Sequence, residues 1–162
     1  MKQNTCCFTG HRKLPSGKIK HMIKRLDDAL ERLIRQGVTD FISGGALGFD
    51  QIAASLVIAK KEMGASVRLV FALPCRNQDE NWKEKEKRLY RSLLREADEI
   101  RYVSEEYSAG CMKKRNRYMV DHSSYCICAL TRGASGTAQT VNYARRQGIQ
   151  IINVMEYSSL DF

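Results

Sequence analysis

Residues 38–50, Val-Thr-Asp-Phe-Ile-Ser-Gly-Gly-Ala-Leu-Gly-Phe-Asp, pass from an apolar strand through a glycine-rich turn straight into a helix. So abrupt a handover marks a βα unit, and it is also how a chain builds a phosphate cradle. Gly44, Gly45 and Gly48 let backbone approach an anion closely, and the N–H groups of a helix starting near Phe49 point at it with the positive end of the helix dipole. Ser43 and Ala46 complete the loop. Asp50, in the first helical turn, suits the dipole and is placed to reach a ribose hydroxyl. A tight turn with no ligand fits the same residues, because a lone Gly-Gly-x-x-Gly has little specificity.

The rest of the chain repeats the alternation. Asn4 to Phe8 reads as a first strand, and Ile19, Met22, Ile23, Leu26, Leu30 and Leu33 follow at helical period until Gly37. Strand two is Asp40 to Ser43; its helix buries Phe49, Ile52, Ala53, Leu56 and Met63 and ends at Gly64. Strand three is Val67 to Leu73. A charged helix from about Asn81 shows Trp82, Leu89, Leu93 and Leu94 on one side. Strand four, Asp98 to Val103, is the most polar. A short helix spans Gly110 to Ser123, strand five Tyr125 to Leu130, a last helix Gly136 to Gln147 and strand six Gln150 to Val154. Without hairpin signals, this alternation predicts a parallel sheet with helices on both faces. Two strand orders compete: 3-2-1-4-5-6, and 4-3-2-1-5-6, which puts polar strand four at an edge.

In such sheets ligands sit beyond the carboxyl ends of the strands. Three loops there carry suggestive chemistry: Thr9-Gly10-His11-Arg12 after strand one, the glycine loop after strand two, and Thr131 to Thr137 after strand five. In the last, Gly133 and Gly136 shape the turn, and Ser135 and Thr137 add hydroxyl donors. Arg115 and Asn116 begin a helix at the same end of the sheet. Arginine suits phosphate because its fork donates two parallel hydrogen bonds. Residues 115, 119 and 122 share a helical face, whereas Arg117 and Asp121, four apart, suit a surface ion pair. His11 reads as an acid, base or phosphate donor, or as a structural loop histidine; Trp82 reads as a base-stacking or a core residue.

At 162 residues and 43% hydrophobic composition the chain suits one well-filled core, so a single domain over residues 1–162 is expected. No stretch is apolar enough to span a bilayer or to serve as a signal core, which predicts a cytoplasmic protein. The six cysteines lie mostly in apolar strands without zinc-site spacing, so they are expected reduced and metal-free. Twenty-seven Lys and Arg against 18 Asp and Glu give a formal charge of +9, which favours anionic partners.

Several of these stretches together have a specific likeness. Thr9-Gly10-His11-Arg12, residues 41–50, Ala72-Leu73-Pro74-Cys75, Gly110-Cys111-Met112, Arg115 to Asp121 and Ser135-Gly136-Thr137 resemble the YpsA-like branch of the SLOG superfamily, along nearly the whole chain. The resemblance implies a three-layer α/β/α Rossmann-like fold with a mainly parallel six-stranded sheet, and a site for a nucleotide or nucleotide-derived ligand. The superfamily's LOG phosphoribohydrolases carry Pro-Gly-Gly-x-Gly-Thr-x-x-Glu, whose glutamate works on the glycosidic bond. Aligned on Gly136-Thr137, this chain has Arg132 in place of the proline and Thr140 in place of the glutamate. Gln139, alongside, cannot act as a base.

Three functions are therefore expected in order. The first is binding of a small phosphate-bearing ligand, nucleotide or ADP-ribose-like, with no established cofactor. The second is N-glycosidase or nucleoside-monophosphate phosphoribohydrolase chemistry, in which Asp50, Asp121 or His11 must supply the missing acid-base group. The third is DNA binding as in the superfamily's DprA proteins, weakened by the lack of a base-reading helix or aromatic strand platform. No membrane partner is expected, and a homo-oligomer is compatible with the sequence.

Overall fold

The structure is a computed structural model, and it describes residues 2–131, 133 and 135–155. Six strands form one sheet: β1 (Thr5–Gly10), β2 (Asp40–Ser43), β3 (Arg68–Leu73), β4 (Glu99–Tyr102), β5 (Tyr125–Ala129) and β6 (Gln150–Asn153). Every adjacent pair is parallel, in the order β4-β3-β2-β1-β5-β6. The fold is thus α/β and Rossmann-like. Of the two orders, 3-2-1-4-5-6 is incorrect: β4 lies at the edge. Its burial alternates between half-buried and exposed, and Glu99 pairs with Arg68 and Arg101 there. Charged side chains on an edge strand discourage further strand pairing.

Period-two alternation sends neighbouring strand residues to opposite faces. Cys6 and Phe8 join Phe41, Leu69 and Phe71 beneath α1 (Ile19–Arg35), α2 (Phe49–Glu62) and α3 (Glu84–Arg95). Cys7 joins Ile42, Val70, Cys126 and Cys128 beneath α4 (Cys111–Asp121) and α5 (Gly136–Arg146). All six cysteines are buried and none is disulfide-bonded. Among the described residues no helix is long and apolar enough to cross a membrane.

Three local expectations need correcting. β1 runs two residues further than expected, because Thr9 and Gly10 pair with Cys128 and Ala129. Met63 lies just past α2 and is 84% exposed. Trp82 precedes α3, which starts at Glu84, and Leu89 is exposed while Tyr90 is buried in its stead.

Candidate functional site

Helices α1 and α5 leave neighbouring strands β1 and β5 for opposite faces of the sheet, so a crevice opens above those strands' carboxyl ends. It is a cleft of about 470 Å³. Thr9, Gly10, His11 and Arg12 line it from β1, Ala46 and Asp50 from the β2–α2 turn, Arg115 and Asn116 from α4, and Ser135, Gly136 and Thr137 from α5. Lys13 and Met112 also line it and were not anticipated; adjacency to Arg12, and a position one turn before Arg115, were the available signals.

Ser43, Gly44, Gly45, Gly48 and Gly133 are not on its surface. Ser43 is fully buried, donating to Asp50 C=O at 2.9 Å and accepting from Gly45 N–H at 3.2 Å. A side chain at Gly44 would collide with the Arg115 guanidinium and the Asp50 carboxylate. Gly48 has φ +88°, and a side chain there would strike the His11 and Arg12 carbonyls. These two glycines therefore let protein approach protein. Helix α2 also gives its first N–H, that of Phe49, to His11 C=O at 3.3 Å. The helix start that opens to the cleft is α5, where Ser135 Oγ caps the Ala138 N–H at 3.0 Å and Gly136 and Thr137 reach the surface.

Arg115 is only 3% exposed. Its Nη1 donates to Gly44 C=O at 2.6 Å and Ala72 C=O at 3.4 Å, and its Nε to Asn116 Oδ1 at 2.8 Å. Its Nη2 approaches Met112 Sδ at 3.9 Å. The guanidinium is thus anchored across the ends of β2 and β3, not held out as an open fork. Met119 packs inward on the same face as expected, but His122 is exposed and stacks on Tyr118. The Arg117–Asp121 pair does not form: Arg117 lies over the Tyr143 ring, and Asp121 accepts from Tyr143 Oη at 2.6 Å.

Among the described residues Asp50 is the one carboxylate on the cleft wall. Burial raises its pKa from the ordinary 3.8 to about 6, against the pull of Arg115, the Ala46 N–H and Arg12. Burial likewise lowers the pKa of Arg115, against the Asp50 charge. His11 Nε2 accepts from Thr131 N–H at 3.1 Å, which puts the ring proton on Nδ1 and ties the β1 loop to the end of β5. Thr140 is buried and donates to Gly136 C=O at 2.9 Å, so its hydroxyl closes on its own helix. Arg132 lies outside the described residues.

The sequence pattern described as the YspA SLOG family matches residues 7–159. The SPbeta prophage-derived protein YoqJ of Bacillus subtilis is 34% identical over 139 residues, covering 75% of this chain and 81% of that protein. A UPF0398 protein of Halalkalibacterium halodurans is 27% identical over 107 residues, 65% of this chain and 57% of its own length. Among solved structures, DNA processing protein A of Streptococcus pneumoniae superposes with a TM-score of 0.71 at 18% identity, covering 98% of this chain and 52% of that one. The Helicobacter pylori protein, solved for its single-stranded DNA binding mode, gives 0.66 at 19% identity, covering 93% and 64%. The chain thus spans roughly half to two thirds of these structural relatives.

Proposed function

The chain belongs to the YspA SLOG family, and from that footing we propose that its cleft binds the phosphate of a nucleotide or nucleotide-derived, ADP-ribose-like ligand. One observation carries the reading. The start of α5, at Gly136 and Thr137, shares a cleft with Arg12, Lys13 and Arg115, among the described residues three cations against the single carboxylate of Asp50. A helix N-terminus facing convergent cations is an anion site by dipole and by charge. In this reading Arg12 and Lys13 neutralise the phosphate, α5 donates backbone N–H groups, and Arg115 stiffens the wall. Asp50, on the cleft wall, is the acceptor this reading assigns to a ribose hydroxyl.

A second reading, single-stranded DNA, is favoured by the DprA likeness and by a neighbouring groove of about 450 Å³. That groove meets the cleft at Met112, Asn116 and Gly136 and carries Lys113, Arg117 and Arg146. Thermal shifts with adenosine 5′-monophosphate, ADP-ribose and an oligodeoxythymidylate decide between them. A ligand at a hundred times its Kd adds about 2.7 kcal/mol. The small-ligand reading expects stabilisation by a nucleotide that Arg12→Ala weakens. A shift with the oligonucleotide alone, lost on Arg117→Ala with Arg146→Ala, overturns it in favour of DNA.

A further inference from the structure

Beside the phosphate cleft lies a second cavity, of about 420 Å³, between the β3–α3 loop and the segment before α4. Arg12 and Met112 line both, so one ligand can run from the first into the second. The chemistry changes along the way. Here the walls are Trp82, Tyr107, Gln78 and Glu80, aromatic rings and hydrogen-bond acceptors in place of clustered cations. Trp82 is half-buried, packed edge-on against Tyr90 at 4.9 Å, which fixes its ring beside the cavity. Tyr107 is 67% exposed.

Gln78 supplies the most specific clue. Its Nε2 donates to Gly44 C=O at 3.3 Å and to Tyr90 Oη at 3.0 Å. A carbonyl only accepts, so this contact fixes which end of the amide is nitrogen. Oε1 is left as the one buried side-chain nitrogen or oxygen atom without a hydrogen-bond partner among the described residues. Native proteins seldom leave such an atom unsatisfied unless something else completes it. Gln78 itself lines the cavity, so a donor seated there can complete the oxygen while Nε2 keeps both of its contacts. Glu80 adds a carboxylate on the same wall, which repels a second phosphate and accepts from an N–H donor.

We propose that this cavity receives a nucleobase bearing an exocyclic amine, stacked against Trp82 and Tyr107, with the amine donating to Gln78 Oε1. The inference rests on the phosphate reading and extends it, because the two cavities together hold the two ends of one nucleotide. Base stacking on aromatic side chains is sequence-tolerant; the amine contact supplies the choice of base.

Trp82 is the chain's only tryptophan, so its fluorescence reports on this cavity alone. The test titrates the intact protein with adenosine 5′-monophosphate, purine riboside 5′-monophosphate, which lacks the amine, and ribose 5-phosphate, following heat and tryptophan emission together. The adenosine nucleotide should change Trp82 emission and bind about tenfold or more tighter than ribose 5-phosphate, which should bind without an optical change. Loss of the amine should weaken binding by about threefold to tenfold while the optical change persists. Tyr107→Ala should weaken the nucleotide and leave ribose 5-phosphate unaffected. If ribose 5-phosphate binds as tightly as the nucleotide, with Trp82 emission unmoved by either, the base site is refuted and the phosphate site stands. If none of the three gives heat, both fall.

Discussion

Asp50 carries a testable consequence of burial. Its folded pKa, about 6, lies above its ordinary 3.8, so over that interval the native state binds more protons than the unfolded one. Its contribution is therefore fully present below about pH 4 and is lost as pH rises through about 6, a difference of about 3 kcal/mol. Asp50→Asn keeps an acceptor for the Ala46 N–H and removes the titration. In urea denaturation the variant should gain on wild type as pH rises from about 4 to about 7; a constant gap between the two contradicts the account. Arg115→Ala removes the charge that holds this carboxyl down, so it should steepen the same dependence and lower stability by about 3 kcal/mol near neutrality. The helical spacing of Arg115 and Met119 showed which way Arg115 faces. It could not show what lies there, because Gly44 and Ala72 are 71 and 43 residues away in sequence.

At the scale of elements, each strand and helix was legible from periodicity, and the ends were read less well. The β1 end was missed because Thr9 and Gly10 become strand only through pairing with β5. In α3 the error was one of phase. Counting the helix from Asn81 places Leu89 inward, but the chain enters at Lys83, whose N–H is taken by Glu86 Oε1 at 3.0 Å, and Tyr90 and Leu93 form the buried face. Tyr90→Ala should thus cost about 3 kcal/mol or more, and Leu89→Ala no more than about 0.5 kcal/mol. Chemical denaturation of the two variants checks this, and equal losses would contradict the assignment of faces. The glycine turn after β2 is a further case. Its composition pointed to an anion cradle, but Gly44 and Gly48 admit Arg115 and the β1 loop, a requirement that appears only when the elements are assembled.

At the scale of the molecule, strand order decides where function can lie. With β4 at the edge and β1 beside β5, the reversal of winding falls where the Thr9-to-Arg12 loop and the start of α5 meet. The polarity of β4 made that order legible, and the charge of +9 is what favours an anionic partner in the proposed reading. The sequence could not show that one of two glycine-fed helix starts is occupied by protein. The central claim is that the other, at α5, faces phosphate, and Gly136→Glu tests it most directly. Among the described residues nothing lies within 4 Å of where a side chain at Gly136 would begin, and a carboxylate in the first turn suits the helix dipole, so the fold should hold or gain slightly. The same charge in the cleft must repel a phosphate. Calorimetric titration with adenosine 5′-monophosphate should give binding to wild type and a loss of about a hundredfold or more in a variant that unfolds at an unchanged or higher temperature. Matching isotherms for the two proteins would contradict the account.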